Sequence, residues 1–488
     1  MKLAGAALAV VLLLSGCASG ALVADREPDQ AGEKDALLAE AQLPHVPMRD
    51  ALVTGERQHE PNTRVPKGVV HYAPSGFPDR IVVSPAVDAS RGLAVAWRTA
   101  ASVESPLLEI VEAGDSPDMG VPRQLQASTR ALVTENGPAH HHRADLDGLQ
   151  PDTLYAWRVQ GERTWSAWHH TRTAAGRDAP LTLLYFGDTQ NKNVSLTTRV
   201  VREAMRHAPD ARLALFAGDL VSGGDGEDDN EWAEWFEANE ALPTSMMVAP
   251  AAGNHEYFEE FEDTPQERRV LGAHWPLTFA LPGNGVAQAR QTTYWFDFQD
   301  LRVVVIDGTS ALDLGTAQAQ AQWLDQALSS NPNRWSIVLT HQPFYSPREG
   351  RDNVLLRTHL LPVIRRHKVD LVLQGHDHVY GRRLPGSEPT PVFVVSVAGA
   401  KQYRLSDQAR ASMRPVAEDT QLFQTLRLDR ERLRYEARTA TGRLYDAFEL
   451  VDQGSAGKRL IELPEGRIDE RDCARAQTLK GRADRCWE

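Results

Sequence analysis

Hydrophobic and polar positions change texture several times along the chain. Leu3 to Leu14 is an unbroken apolar run. It is shorter than the roughly 20 residues a membrane-spanning helix needs. From residue 18 to 76, Asp, Glu, Pro, Gln and Ala dominate without an apolar period, which predicts a tether. Short β-like runs follow: Arg80–Val83, Leu93–Trp97, Leu107–Val111 and Leu154–Val159, separated by turn residues. Such spacing predicts a small β-sandwich over 77–174. From Leu181 the texture is α/β, with apolar runs alternating with helix-like segments. Trp232, Trp235 and Phe236 fall at i, i+3 and i+4, and Trp323, Leu324, Ala327 and Leu328 repeat nearly that spacing. Both read as helix faces turned to a core. The α/β region is placed at 180–452, leaving 453–488 as a tail.

Length and charge narrow the picture. At 488 residues the chain is long enough for two or three folded units. A net charge of −13 argues against a nucleic-acid binder. It leaves a phosphorylated substrate open, because bound metal supplies local positive charge. Lys2 ahead of the apolar run suits an export signal. The run ends in Leu14-Ser15-Gly16-Cys17, which resembles a bacterial lipobox. That resemblance implies a signal peptide over 1–17, lipidation of Cys17 and a membrane-anchored exported protein. With Ala18 and no Asp after the cysteine, it implies the outer membrane. The alternative is an ordinary signal peptide that contains a Cys. Cys473 and Cys486 remain, two cysteines in an exported tail. They form either a disulfide, stabilising the tail by about 3 kcal/mol, or two free thiols.

Chemistry gathers at the ends of five apolar runs in the α/β region. Leu183–Phe186 leads to Asp188 and Gln190, and Leu213–Ala217 leads to Gly218-Asp219. Met246–Pro250 leads to Gly253-Asn254-His255-Glu256, Ile337–Thr340 to His341, and Val369–Gln374 to Gly375-His376-Asp377-His378. Loops after the carboxyl ends of strands gather on one edge of an α/β sheet. Rigid strand ends can hold side chains in metal geometry. Carboxylates, imidazoles and an amide oxygen without thiolate suit first-row metals such as Fe, Zn or Mn, and suit structural zinc poorly. His140, His141 and His142 are consecutive, and strand neighbours face opposite sides, so they read as a solvated strand end. Glu227, Asp228 and Asp229 read as a helix start favoured by the dipole.

The order D…GD…GNH…H…GHxH resembles the calcineurin-like metallophosphoesterases. Leu149-Gln150-Pro151-Asp152-Thr153-Leu154-Tyr155 resembles a fibronectin type III signature, and a preceding sandwich narrows the resemblance to the purple acid phosphatase-like branch. It covers about 77–452. It implies an α/β metallophosphatase domain, two packed β-sheets flanked by helices, preceded by an all-β fibronectin type III-like sandwich. It also implies a dinuclear metal site: Asp219 bridging, Asp188 and His378 on one ion, and Asn254, His341 and His376 on the other. A metal-held hydroxide would attack phosphorus, and His255 would protonate the leaving oxygen.

The sequence departs from the purple enzymes at Ser222, where they carry a Tyr ligand. Tyr185 does not replace it, since an odd offset from Asp188 puts it on the other strand face. Gln190 stands where many relatives carry His, and is either a ligand, direct or through water, or a polar loop residue. Tyr257, Tyr345 and Tyr380 follow ligand motifs and either line the pocket or pack. Arg348, Arg351 and Arg382 are candidate phosphate clamps.

The expected function is hydrolysis of small phosphate monoesters outside the cytoplasm. The same site would serve a phosphodiesterase or nucleotide hydrolase. A different class is a non-catalytic lipid-anchored binding protein.

Overall fold

The computed structural model describes residues 61–488 except 223–226, 262–263, 384–385, 387–388, 475–477, 480–481, 484–485 and 487–488. Cys17 and the export segment lie outside the described residues.

Eight strands build the sandwich. β1 (Asp79–Pro85), β2 (Leu93–Ala100), β5 (Ser128–Thr134) and β6 (Gly137–Leu146) form one antiparallel sheet in the order β1-β2-β6-β5. β3 (Leu107–Glu112), β4 (Arg123–Gln126), β7 (Leu154–Val159) and β8 (His169–Arg172) form the other in the order β4-β3-β7-β8. Alternate residues point inward, so Val83, Val95, Trp97, Leu108, Ile110 and Trp157 fill the space between the sheets. The turn before β7 is held by Tyr155, whose hydroxyl accepts from the Gln150 N–H at 2.9 Å.

The His140–His142 run corrects an expectation. It sits within β6, an inner strand flanked by β2 and β5, and is not a solvated strand end. His142 is buried between Thr99 Oγ1 (2.8 Å) and Thr129 Oγ1 (2.9 Å), and His141 is buried on the opposite face. The side chains do alternate between faces, but pairing on both edges of a strand is not encoded in three residues.

The α/β domain is two seven-stranded sheets packed face to face. The first runs β11-β10-β9-β21-β22-β23-β24. Its strands are β9 (Leu181–Phe186), β10 (Leu213–Phe216), β11 (Met247–Pro250), β21 (Leu422–Leu428), β22 (Arg432–Thr439), β23 (Leu444–Asp452) and β24 (Lys458–Glu462). β12 (Tyr257–Glu260) and β13 (Arg268–Leu271) form a separate hairpin. The second sheet runs β14-β15-β16-β17-β19-β18-β20. It comprises β14 (Tyr294–Phe298), β15 (Leu301–Val305), β16 (Trp335–Leu339), β17 (Leu371–Gln374), β18 (Tyr380–Arg383), β19 (Val392–Val395) and β20 (Val416–Ala417). β9, β10 and β11 are mutually parallel, as are β15, β16, β17 and β19. Their residues are buried on both faces, as parallel strands covered on both sides require. Helix α1 (Thr198–His207) and helix α2 (Asp229–Asn239) join the first sheet's parallel strands. Asp228 caps α2, accepting from Asn230 N and Glu231 N, and Trp232 and Trp235 are buried.

Residues assigned to the tether from 61 onward are docked. Lys192 N–H donates to Asn62 O (2.6 Å), and Val65 N–H donates to Glu234 Oε1 (2.9 Å). His71 and Tyr72 N–H both donate to Asn136 Oδ1 at 2.9 Å. The segment docks through its main chain, which pairs with the backbone of Lys192 and the side chains of Glu234 and Asn136, contacts hydropathy cannot reveal. Beyond 452, β24 adds to the first sheet, and Cys473 is disulfide-bonded to Cys486 with Cα atoms 5.7 Å apart.

Sandwich and α/β domain meet at a buried charge cluster. Asp229 accepts from Arg80 Nη1 (2.5 Å), Arg98 Nη1 (3.2 Å) and Asn136 Nδ2 (2.8 Å), with His274 Nε2 at 3.0 Å.

Candidate metal centre

Each of the five parallel strands named by its apolar run delivers its polar residues to one place, at the carboxyl ends of both sheets. β9, β10 and β11 present Asp188, Asp219 and Asn254, while β16 and β17 present His341, His376 and His378. Ligand-type atoms of Asp219, His341 and His376 lie within 4.8 Å of one another, and so do those of Asp188, Asp219 and His378. Asp219 belongs to both groups.

The loops are tightly made. Asp219, His376 and His378 all have positive φ (49°, 74° and 48°), the left-handed region that costs side-chain-bearing residues energy. Gly253 is required by contact, because a Cβ there would lie 2.2 Å from Asp219 Oδ1. Glu256 binds these turns together. Its carboxylate accepts from Gly253 N (2.6 Å), Asp219 N (2.9 Å) and Leu220 N (2.8 Å). Sequence reasoning gave Glu256 no role, although it completes the Gly253–Glu256 motif. Asp377, between two candidate ligands, accepts from Ser346 Oγ (2.6 Å) and from Arg351.

The donor set can be tested for its fit to metal. His341 Nδ1–H donates to the Ala217 carbonyl at 2.7 Å, which turns Nε2 toward the site. There Nε2 faces Asp219 Oδ2 at 3.0 Å, His376 Nδ1 at 2.9 Å and Asn254 Oδ1 at 3.2 Å. A proton on Nε2 satisfies one such acceptor at a time, whereas a cation satisfies all of them. His378 repeats the arrangement, with Nδ1–H donating to Lys401 O (3.0 Å) and Nε2 lying 3.6 Å from Asp188 Oδ1. Gln190 Oε1 is buried without a hydrogen-bond partner. Convergent lone pairs with an orphaned amide oxygen fit metal ions.

Electrostatics set these groups apart from one another. Burial, reinforced by Asp219, pushes the Asp188 carboxyl up to about 8 although His341 opposes it. Burial opposes ionisation of Asp219 too, but His341 and His255 outweigh it and hold that carboxyl well below its usual range. Burial disfavours charge on His341, yet Asp219 and Asp188 raise it to about 9. Burial keeps His376 and His378 neutral, the form that binds metal.

The remaining sequence candidates separate. The Gln190 Nε2 group donates to Asp219 Oδ2 at 2.9 Å. His255 is half-buried, and its backbone N–H donates to Asp219 Oδ1 at 3.0 Å. Ser222 donates to Glu231 Oε1 (2.8 Å) and accepts from Asn191 (3.0 Å). Tyr185 is fully buried and donates to the Gln374 carbonyl. Tyr257 and Tyr380 are packing residues, donating to Asp307 and Asp446 inside the core. Tyr345 lines a 620 Å³ cavity with Arg351, Arg357 and Arg383. Arg382 is not a clamp, because it is buried against Asp446 and Glu462.

Comparison with known proteins adds relatives. A profile of the calcineurin-like phosphoesterases matches residues 181–380, and one of the purple acid phosphatase N-terminal domain matches 78–173. An uncharacterised protein of Mycobacterium tuberculosis is 28% identical over 331 residues, covering 61% of this chain and 60% of the relative. The chain thus spans about 60% of that relative's length. Purple acid phosphatase 1 of Ipomoea batatas is 24% identical, covering 70% of this chain and 71% of the relative. The structure of a purple acid phosphatase from yellow lupin (Lupinus luteus) seeds superposes with a TM-score of 0.64. At 18% identity, covering 76% of this chain and 74% of that one, it shows the shared fold.

Proposed function

Given that the chain is a calcineurin-like metallophosphoesterase with a purple acid phosphatase N-terminal domain, we propose that it hydrolyses small phosphate monoesters at a dinuclear metal site. Asp219 would contribute to holding both ions. Asp188 and His378 hold one, and Asn254, His341 and His376 hold the other. The observation that carries this reading is the membership of Asp219 in both ligand groups. Gln190 would add Oε1, a buried amide oxygen without a hydrogen-bond partner, to Asp188 and His378. Fe, Zn and Mn fit this oxygen and nitrogen set.

When bound, such ions acidify water and neutralise charge on phosphoryl oxygens. The chain's own part is orientation and proton delivery. Glu256 and Asp377 fix the loops that carry the ligands. His255, held beside Asp219 by its own backbone, supplies a proton to the departing oxygen. Export and lipidation at Cys17 complete the proposal, supported by the lipobox resemblance, and place the enzyme at the outer membrane facing the periplasm or the cell surface.

The test is metal analysis of purified protein coupled to rates on an aryl phosphate monoester and its diester. Two ions per chain and faster monoester turnover are expected. Faster diester turnover supports the phosphodiesterase alternative. No bound metal and no hydrolysis with added manganese, iron or zinc supports a binding protein.

A further inference from the structure

Arginines around the metal centre mostly end on carboxylates: Arg351 on Asp377, Arg357 on Asp352, Arg382 on Asp446 and Glu462, Arg410 on Asp472. Two half-buried cations beside His378 are different. Among the described residues, neither the Arg348 guanidinium nor the Lys401 amine has a hydrogen bond or an ion pair. What holds them is an aromatic ring. Arg348 Cζ lies 4.0 Å from the centroid of the Tyr403 ring, and Lys401 Nζ lies 5.6 Å from it. The Tyr403 ring in turn meets the His378 ring edge-on, with centroids 4.8 Å apart.

The physics of this arrangement points outward. A partly desolvated cation gains from a carboxylate partner, and a chain with net charge −13 has carboxylates to spare. Contact with a ring face steadies a guanidinium while leaving its N–H donors unused. Backbone contacts also fix both residues to the ligand loop. Tyr403 N–H donates to His378 O (3.1 Å), and His378 Nδ1–H donates to Lys401 O (3.0 Å). Arg348 N–H donates to Ser346 Oγ (3.1 Å), which donates to Asp377 Oδ2 (2.6 Å). The unused donors therefore gather at the Tyr403 ring, which packs edge-on against the ligand-type His378. Lys401 O sits on His378 Nδ1, on the side of the ring away from the Nε2 that faces Asp188, which puts this position beside the ligand cluster and not within it. Such a position suits an anionic group at the far end of a leaving group.

We propose that Arg348 and Lys401, steadied by Tyr403, form a second anion subsite, so that favoured substrates are monoesters whose leaving group carries another phosphate. This rests on the phosphoesterase reading of the metal centre. The test compares phenyl phosphate with 1,4-phenylene bisphosphate, which differ only in the second phosphate. In the wild type, kcat/KM is expected to be at least tenfold higher for the bisphosphate, mainly through KM. Arg348→Ala and Lys401→Gln, made separately and checked for unchanged thermal unfolding, should each reduce bisphosphate kcat/KM at least fivefold more than phenyl phosphate kcat/KM. Equal losses on both substrates would put the cations on the scissile phosphate and overturn the proposal. A wild-type ratio near one would also overturn it while leaving the catalytic reading intact. No turnover of either substrate by metal-loaded protein would instead overturn the catalytic reading, and this subsite with it.

Discussion

Glu256 gathers three backbone N–H groups, two of them from the Asp219 turn, onto one buried carboxylate. Replacing it with Ala strands those donors, at about 1–3 kcal/mol for each unsatisfied group. Glu256→Ala should therefore lower stability by several kcal/mol and release metal on dialysis, as read by denaturant melts and metal analysis. Ser222 makes the complementary point. Its hydroxyl is engaged with Glu231 and Asn191, and Tyr185 is committed to Gln374. The iron-loaded protein should lack the intense visible band of tyrosinate bound to iron, and absorption spectroscopy checks this. Candidate ligands were legible because each follows an apolar run. Glu256 was not, because its partners include a turn 37 residues earlier in the chain. Arg348 stood out only as one of three candidate clamps and Lys401 not at all, since spacing does not say which cations lack a carboxylate.

At the scale of elements, the apolar runs mapped onto β9, β10, β11, β16 and β17 because buried parallel strands leave no polar face to confuse the pattern. Connections between elements were less visible. Asp229 starts α2, as its place in an acidic run implied, but its carboxylate joins α2 to β1 and β2 through Arg80 and Arg98. Asp229→Asn should destabilise the protein by about 3–5 kcal/mol, because it leaves buried guanidinium charge uncompensated. Asp79→Asn should cost no more than about 1 kcal/mol, because its carboxylate is 41% exposed. Urea denaturation of both variants tests the contrast. Asp370, just ahead of β17, accepts from Ser336 N (2.8 Å) and has Lys458 at 3.7 Å. Burial pushes its carboxyl up to about 6 despite that lysine. Between pH 4 and 6 the unfolded chain loses this proton first, so the group's contribution falls as pH rises. Relative to Asp370→Asn, the wild type should lose up to about 3 kcal/mol across that window, measured by denaturation at each pH.

For the whole molecule, the domain order was readable from changes of texture, whereas the docking of residues 61–76 was not. The candidate ligands come from both large sheets, three residues from the ends of β9, β10 and β11 and three from those of β16 and β17. Ions held among them would cross-link the sheets, and a ligand bound only by the native state stabilises it in proportion to the logarithm of its concentration. Thermal unfolding should therefore shift upward with free metal and downward with chelator. A midpoint indifferent to both would contradict the cross-link. On this view metal scarcity would act twice, idling the catalyst and shortening the lifetime of each chain by leaving its two halves easier for proteases to part.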